Sequence, residues 1–238
     1  MQLPSLSDSR LLNSPRSNEP LRYSRTKDWA IRTIVVLWFS LMAAVTARGI
    51  VVAFANAANG GEIAPLLSKI CLFSFVVMIA WLTIVRAPAT ARATGVQPAI
   101  TAFLGTNLVF LGVLLLHPRE DLPAGLHLLS AALVTAGNAL AVFSLHYLGR
   151  SFSIMAEARQ VVSRGPYKII RHPLYVAEQI AIIGIFIQYA SLAAFILILM
   201  QLACQLMRIR NEEILLRDTF PEYAGYMAQT ARIIPGLW

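Results

Sequence analysis

Long apolar runs separated by short polar segments dominate the chain. The runs are Trp29 to about Ala58, Ile63 to Val85, about Ala99 to His117, about Ala124 to Leu148, and Leu174 to Met207. Each of the first four is close to the roughly 20 residues a helix needs to cross a bilayer. The fifth, at 34 residues, is too long for one ordinary span and just enough for two. Gln188-Tyr189-Ala190-Ser191 near its middle suits a tight turn, so this run predicts a helical hairpin of two short or tilted spans. Ala55-Asn56-Ala57 imitates a signal-peptidase site, but the run it ends far exceeds a signal's apolar region of about 7–15 residues, so a retained span is expected. The pattern predicts an all-α, polytopic helical membrane protein with about six transmembrane helices. Residues 1–28, rich in Ser, Pro, Asn and Arg, are expected to form a disordered tail. Residues 29–148 hold four N-terminal spans, and 149–238 form a C-terminal unit with the hairpin at 174–207 and a polar end.

Composition agrees with this reading. Of 238 residues, 57% are hydrophobic and 13% charged, with a mean hydropathy of +0.64. A soluble domain carries about 25% charged residues. The net charge of +8 does not point to nucleic acid, because the basic residues are not gathered into one stripe with aromatics between them. They sit between the apolar runs instead. In a six-span arrangement, 17 of the 20 Lys and Arg fall on one side: the tail with Arg32 beside it, the 86–98 connector, segment 149–173 and the C-terminus. Positive charge marks the cytoplasmic side, so both termini are expected there, in the inner membrane if the host is bacterial. Cys71 and Cys204 lie inside apolar runs, where neither a disulfide nor a metal site is expected.

This topology places 149–173 and 208–238 on one face, joined by the hairpin. The first segment ends in GPYKIIRHPLYVAE, unusually rich in reactive side chains for a chain about to enter lipid. Arg171, Tyr175 and Glu178 are spaced i, i+4, i+7 along a helix expected to begin near Pro173, a residue suited to a first helical turn. The second segment, RIRNEE, offers Arg208 with Glu212 and Arg210 with Glu213 as pairs along a helix surface. Interfacial snorkelling explains such arginines in isolation, but not two such segments brought to the same face. Among the polar residues inside the runs, Asn107 and Asn138 suit interhelical hydrogen bonds, and Gly137 with Ala141 suits close helix packing.

Taken in order, Gly165-Pro166-Tyr167, Arg171-His172-Pro173-Leu174-Tyr175, the hairpin, Arg208 to Glu213, and then Phe220, Tyr223, Tyr226, Arg232 and Pro235 resemble the isoprenylcysteine carboxyl methyltransferase family and its phospholipid methyltransferase relatives. The resemblance covers about residues 145–238. It departs from the family at Ala177, where Gly is frequent, and at Arg159, where some members carry His. It implies that 149–238 is a methyltransferase core whose S-adenosyl-L-methionine site is formed by cytoplasmic segments. Tyr167, His172, Pro173, Tyr175, Glu212 and Glu213 would line that site.

The residue types suit such chemistry. Carboxylates favour a sulfonium cation and accept hydrogen bonds from ammonium and ribose hydroxyls. Tyrosine faces stack on adenine or approach a cation. A carboxylate acceptor is already ionised and would be oriented by Arg171 or Arg208; an amine would need Glu178 or His172 as base. The expected acceptor is a lipid or lipid-modified molecule in the membrane, without nucleic acid or metal. The alternatives are an NADPH-dependent membrane reductase of the sterol-reductase type, for which Arg164, Lys168 and Arg171 would serve a phosphate, and a non-catalytic lipid-binding protein.

Overall fold

The computed structural model describes residues 25–119 and 121–236. Among these, seven α-helices form: α1 Arg25–Ala58, α2 Ala64–Val85, α3 Val96–Leu115, α4 Ala124–Leu148, α5 Pro173–Tyr189, α6 Leu192–Thr219 and the short α7 Tyr223–Gln229. Of the expected tail, residues 1–24 lie outside the described residues, whereas Arg25 to Asp28 already belong to α1. Proline opens α2 and α5, Gly149 in a left-handed conformation (φ 52°) ends α4, and the Ser191 hydroxyl caps α6 by accepting from the Ala194 N–H at 3.2 Å. The protein is a helical membrane protein. Five helices are long and apolar enough to cross a bilayer, namely α1, α2, α3, α4 and α6. At 17 residues, α5 is shorter, about 25 Å against a hydrocarbon core of about 30 Å.

The hairpin turn falls at Ala190-Ser191, inside the expected stretch. Its second arm differs from expectation. The helix does not stop at Met207 but continues unbroken to Thr219, so Arg208 to Glu213 extend the same 28-residue helix rather than beginning a new one. A straight helix of that length, about 42 Å, outruns the hydrocarbon and carries its charged last turns out of the lipid.

The main helix interfaces follow the order α1, α2, α4, α5, α6, α3. α3 thus packs on α6 instead of on its sequence neighbours. Trp38 of α1 meets Phe110 of α3 edge to face, with ring centroids 5.3 Å apart, bringing the two ends of the row together. The α4–α5 interface is the closest. A Cβ on Gly137 would run into the backbone of Ala177 and Ala181, 2.8 Å from the Ala177 oxygen, and one on Gly184 would lie 2.8 Å from the Val134 nitrogen. Interhelical polar ties come from Ser68, which bonds the Ala131 carbonyl (3.1 Å) and the Thr135 hydroxyl (3.0 Å), and from Ser130, which donates to the Gly184 carbonyl at 2.7 Å. The two asparagines expected in that role do otherwise: Asn107 and Asn138 donate to the carbonyls of Phe103 and Val134 within their own helices, at 2.8 Å each. Both Asn–carbonyl links span one helical turn, the nearest acceptor an amide in lipid can find.

Most of the charged segments meet at one end of this bundle. Arg86 bonds Asp28 at 2.7 Å, joining the end of α2 to the start of α1. Strand β1 (Ala91–Arg92) pairs antiparallel with strand β2 (Glu157–Ala158), stitching the 86–98 connector to the segment before α5. Burial pushes the Glu157 carboxyl up, but Arg159, Ser153 and Arg86 outweigh it and hold it below the usual range. Asn211 of α6 donates to Gln97 of α3 at 3.1 Å. The starts of α1, α3 and α5 and the ends of α2, α4 and α6 therefore share one face, as the charge bias requires.

Since Gly137 packs backbone to backbone, Gly137→Ala should lower stability by about 1–3 kcal/mol in detergent thermal unfolding. Gly125→Ala, at a site open for 4 Å around, is the control and should lose nothing.

Candidate active site

The site begins at a glycine that no other residue replaces. Gly165 has φ +59°, and a Cβ there would enter the Tyr147 ring. The tight turn it allows, Gly165–Lys168, buries Tyr167, whose backbone carbonyl accepts a 2.6 Å hydrogen bond from the Tyr226 hydroxyl. The chain then runs extended beside the C-terminal segment: Arg171 N–H bonds the Ala231 carbonyl (2.8 Å) and His172 N–H the Arg232 carbonyl (3.2 Å). Only then does Pro173 open α5.

One carboxylate ties these pieces together. Glu213, 4% exposed, accepts from Arg171 Nε at 2.7 Å, His172 Nε2 at 3.2 Å and Arg232 at 2.6 Å. Arg171 also donates through Nη1 to the carbonyls of Met227 (3.0 Å) and Thr230. Glu213 thus joins α6, the approach to α5 and the C-terminal segment in a single charge-assisted cluster.

A cavity of about 540 Å³ opens beside this cluster, lined by residues of α1 to α6. Its polar end holds Tyr167, His172, Glu212, Tyr223 and Tyr226, and its apolar arm is bounded by side chains such as Phe39, Met42, Leu72, Val76 and Val109. At the junction stands Arg208, 9% exposed, its guanidinium 5.0 Å from the Tyr175 ring centroid and donating to the Ile154 carbonyl at 3.1 Å. Arg208 Nε is buried without a hydrogen-bond partner among the described residues. The Tyr175 hydroxyl donates to Glu212. Gln205 holds the other side, donating to the Tyr175 carbonyl at 3.2 Å and to Glu178 at 3.3 Å. The Tyr167 hydroxyl also has no partner among the described residues. Burial pushes its pKa up and Glu212 adds to the shift, so it remains a hydrogen-bond donor facing the cavity.

Seven of the nine residues singled out from sequence line this cavity: Tyr167, Arg171, His172, Tyr175, Glu178, Arg208 and Glu212. Pro173 and Glu213 stand behind it. Three expectations on geometry need correction. Arg171 precedes α5 and does not share a helical face with Tyr175 and Glu178, because its backbone is committed to the pairing with Ala231. Arg208 turns to Tyr175 instead of pairing with Glu212, since its helix face is buried against α5. Arg210, 200° around the helix from Arg208, is exposed, and Glu213 takes Arg171, His172 and Arg232 in its place. Sequence reasoning passed over Gln201 and Gln205. The signal was present: Gln201, Gln205, Arg208 and Glu212 repeat at i, i+4, i+7 and i+11, a polar stripe on an apolar helix.

Residues 125–223 match the phospholipid methyltransferase family, a family of the isoprenylcysteine carboxyl methyltransferase type, as the motif order suggested. Two curated proteins are also similar. One is the "Cobalt-zinc-cadmium resistance protein CzcN" of Cupriavidus metallidurans, 32% identical over 157 residues, or 62% of this chain and 66% of the relative. The other is the "Nickel-cobalt-cadmium resistance protein NccN" of Alcaligenes xylosoxydans xylosoxydans, 31% identical over 115 residues, or 46% and 53%. The chain spans less than two thirds of the length of either relative.

The two adjacent glutamates should respond differently to neutralisation. Glu213→Gln leaves buried cations unbalanced and should cost about 3 kcal/mol or more of stability, read from detergent unfolding. Glu212→Gln should leave the unfolding temperature close to the parent's.

Proposed function

We propose that this chain, whose residues 125–223 carry the phospholipid methyltransferase match, transfers a methyl group from S-adenosyl-L-methionine to a lipid or lipid-modified acceptor held in the membrane. The observation that carries this reading is the cavity of about 540 Å³, polar at the charged end of the bundle and apolar toward its middle, with Arg208 at the junction. A water-soluble donor and a lipid-embedded acceptor can meet in such a cavity.

The donor set suits the cofactor. Glu212 would favour its positive charge or accept from its ribose hydroxyls, the Tyr167 hydroxyl would donate, and the faces of Tyr167 and Tyr175 would receive the adenine or the sulfonium. His172 lines the same end. Pro173 and Glu213 act from behind, starting α5 and holding Arg171, His172 and Arg232 in register. When bound, the cofactor would supply an electrophilic methyl group on a sulfonium sulfur. The protein's part is to hold the acceptor in near-attack geometry and exclude water. Arg208, with an unused buried Nε–H, is suited to orient a carboxylate bidentately. Arg171 is engaged by Glu213 and two carbonyls, so we assign it to positioning rather than to substrate. Glu178 is the base available to an amine acceptor.

In this reading the charged end faces the cytoplasm of a bacterial inner membrane, following the Lys and Arg bias. The relatives' names suggest a setting in which membrane chemistry is adjusted under cobalt, zinc, cadmium or nickel load.

Three measurements follow. Detergent-purified protein titrated with S-adenosylmethionine and NADPH should bind the first, and Glu212→Gln should weaken that binding about tenfold or more. Binding of NADPH alone would favour the reductase. Arg208→Lys should keep cofactor affinity while methyl transfer falls by about two to three orders of magnitude, as with loss of one preorganised donor; near-normal turnover would instead indicate an amine acceptor. Cysteines placed at Arg164 and Asn59 should label from opposite sides of the membrane, Arg164 from the cytoplasm. Labelling of both from one side would sink the topology.

A further inference from the structure

The polar stripe on α6 continues deeper than the chemistry above requires. Gln205 bonds Tyr175 and Glu178, Arg208 lies over Tyr175, and Glu212 receives the Tyr175 hydroxyl. Gln201 lies one turn further into the bundle, 2% exposed, on the cavity wall, and its Oε1 is buried with no hydrogen-bond partner among the described residues. Ile182, Ile185 and Val109 line the same cavity. Asn138 of α4, 3% exposed, lines the same cavity; one Nδ2–H goes to the Val134 carbonyl, which leaves Oδ1 and a second N–H for other partners.

The two carboxamides stand at similar depth. Gln201 is one turn beyond the glutamine that grips Glu178, and Asn138 follows Gly137, which packs on Ala177 and Ala181 to either side of Glu178. Seven residues of helix separate Gln201 from Arg208, about 10 Å along the axis. A plain hydrocarbon chain in this arm would leave a buried carbonyl oxygen unsatisfied, which is costly in a medium without water. Polar side chains in spans often join helices, but Gln201 Oε1 joins none described here.

We propose that Gln201, with Asn138, selects a lipid acceptor that carries a hydroxyl or amide N–H within its chain, about 10 Å from the group that accepts the methyl. The distance rests on the proposed placement of that group at Arg208. An uninterrupted hydrocarbon acceptor would be disfavoured.

The test uses full-length protein in detergent and two carboxylic acids of equal length. One is hexadecanoic acid; the other has an internal secondary amide about 10 Å from its carboxylate, matching the Arg208–Gln201 spacing. Affinities are read by displacement of a fluorescent fatty acid, with S-adenosylmethionine binding measured in parallel. The parent should prefer the amide acid by about tenfold, the worth of one desolvated hydrogen bond. Gln201→Leu, which suits an apolar wall, should erase that preference with cofactor binding unchanged. Equal affinities in the parent, or a preference that survives Gln201→Leu, would overturn the assignment. A Gln201-dependent preference without any S-adenosylmethionine binding would uphold it while sinking the methyltransferase reading.

Discussion

The site depends on a carboxylate that does not itself face the cavity. Glu213 is surrounded by Arg171, His172 and Arg232, which come from two segments that carry no regular helix of their own. Arg171 and Arg232 would each be costly to leave there unpaired, and Glu213 would be costly without them. Together they hold the extended approach to α5 against the C-terminal segment, and that pairing sets where α5 begins. With α5 placed, Tyr175 reaches Glu212, and Gln205 reaches both Tyr175 and Glu178. Removing the anchor would release the whole polar end, although none of its three partners belongs to the apolar core.

A second constraint comes from the lipid side. α4 and α5 approach so closely at Gly137 and Gly184 that their backbones touch, and Ala177, fully buried, fits the space left by Gly137. This contact fixes the rotation of α5 and turns Tyr175 and Glu178 toward the cavity.

The family match begins at residue 125 and ends at residue 223, covering α4, α5, α6 and the first residue of α7. The polar end of the cavity is built mostly from that stretch. The apolar arm draws on α1, α2 and α3, which lie outside it. The division suits a protein in which the chemistry is shared with relatives and the acceptor chamber is shaped separately. Trp38 and Phe110 close the chamber between α1 and α3.

The sequence alone determined the long apolar helices, the region of the hairpin turn, the shared charged face and seven polar residues of the cavity wall. Each follows from a local or compositional rule: apolar length, proline at a helix start, positive charge on one side of the membrane, and an ordered set of motifs. What only the tertiary structure decided was which partner each charged group takes. Spacing offered Glu213 to Arg210, three residues away along one helix, yet the fold gave it to Arg171, His172 and Arg232, because desolvated charges bind their partners far more strongly than exposed ones. Spacing likewise placed Arg171 on a helix that its backbone pairing with Ala231 excludes it from. The position of α3 beside α6 was also illegible, since apolar helices in lipid carry no mark of which neighbour they will choose. That choice depends on where small residues such as Gly105 and Gly112 let side chains of α6 come close, a property of two surfaces meeting rather than of either sequence alone.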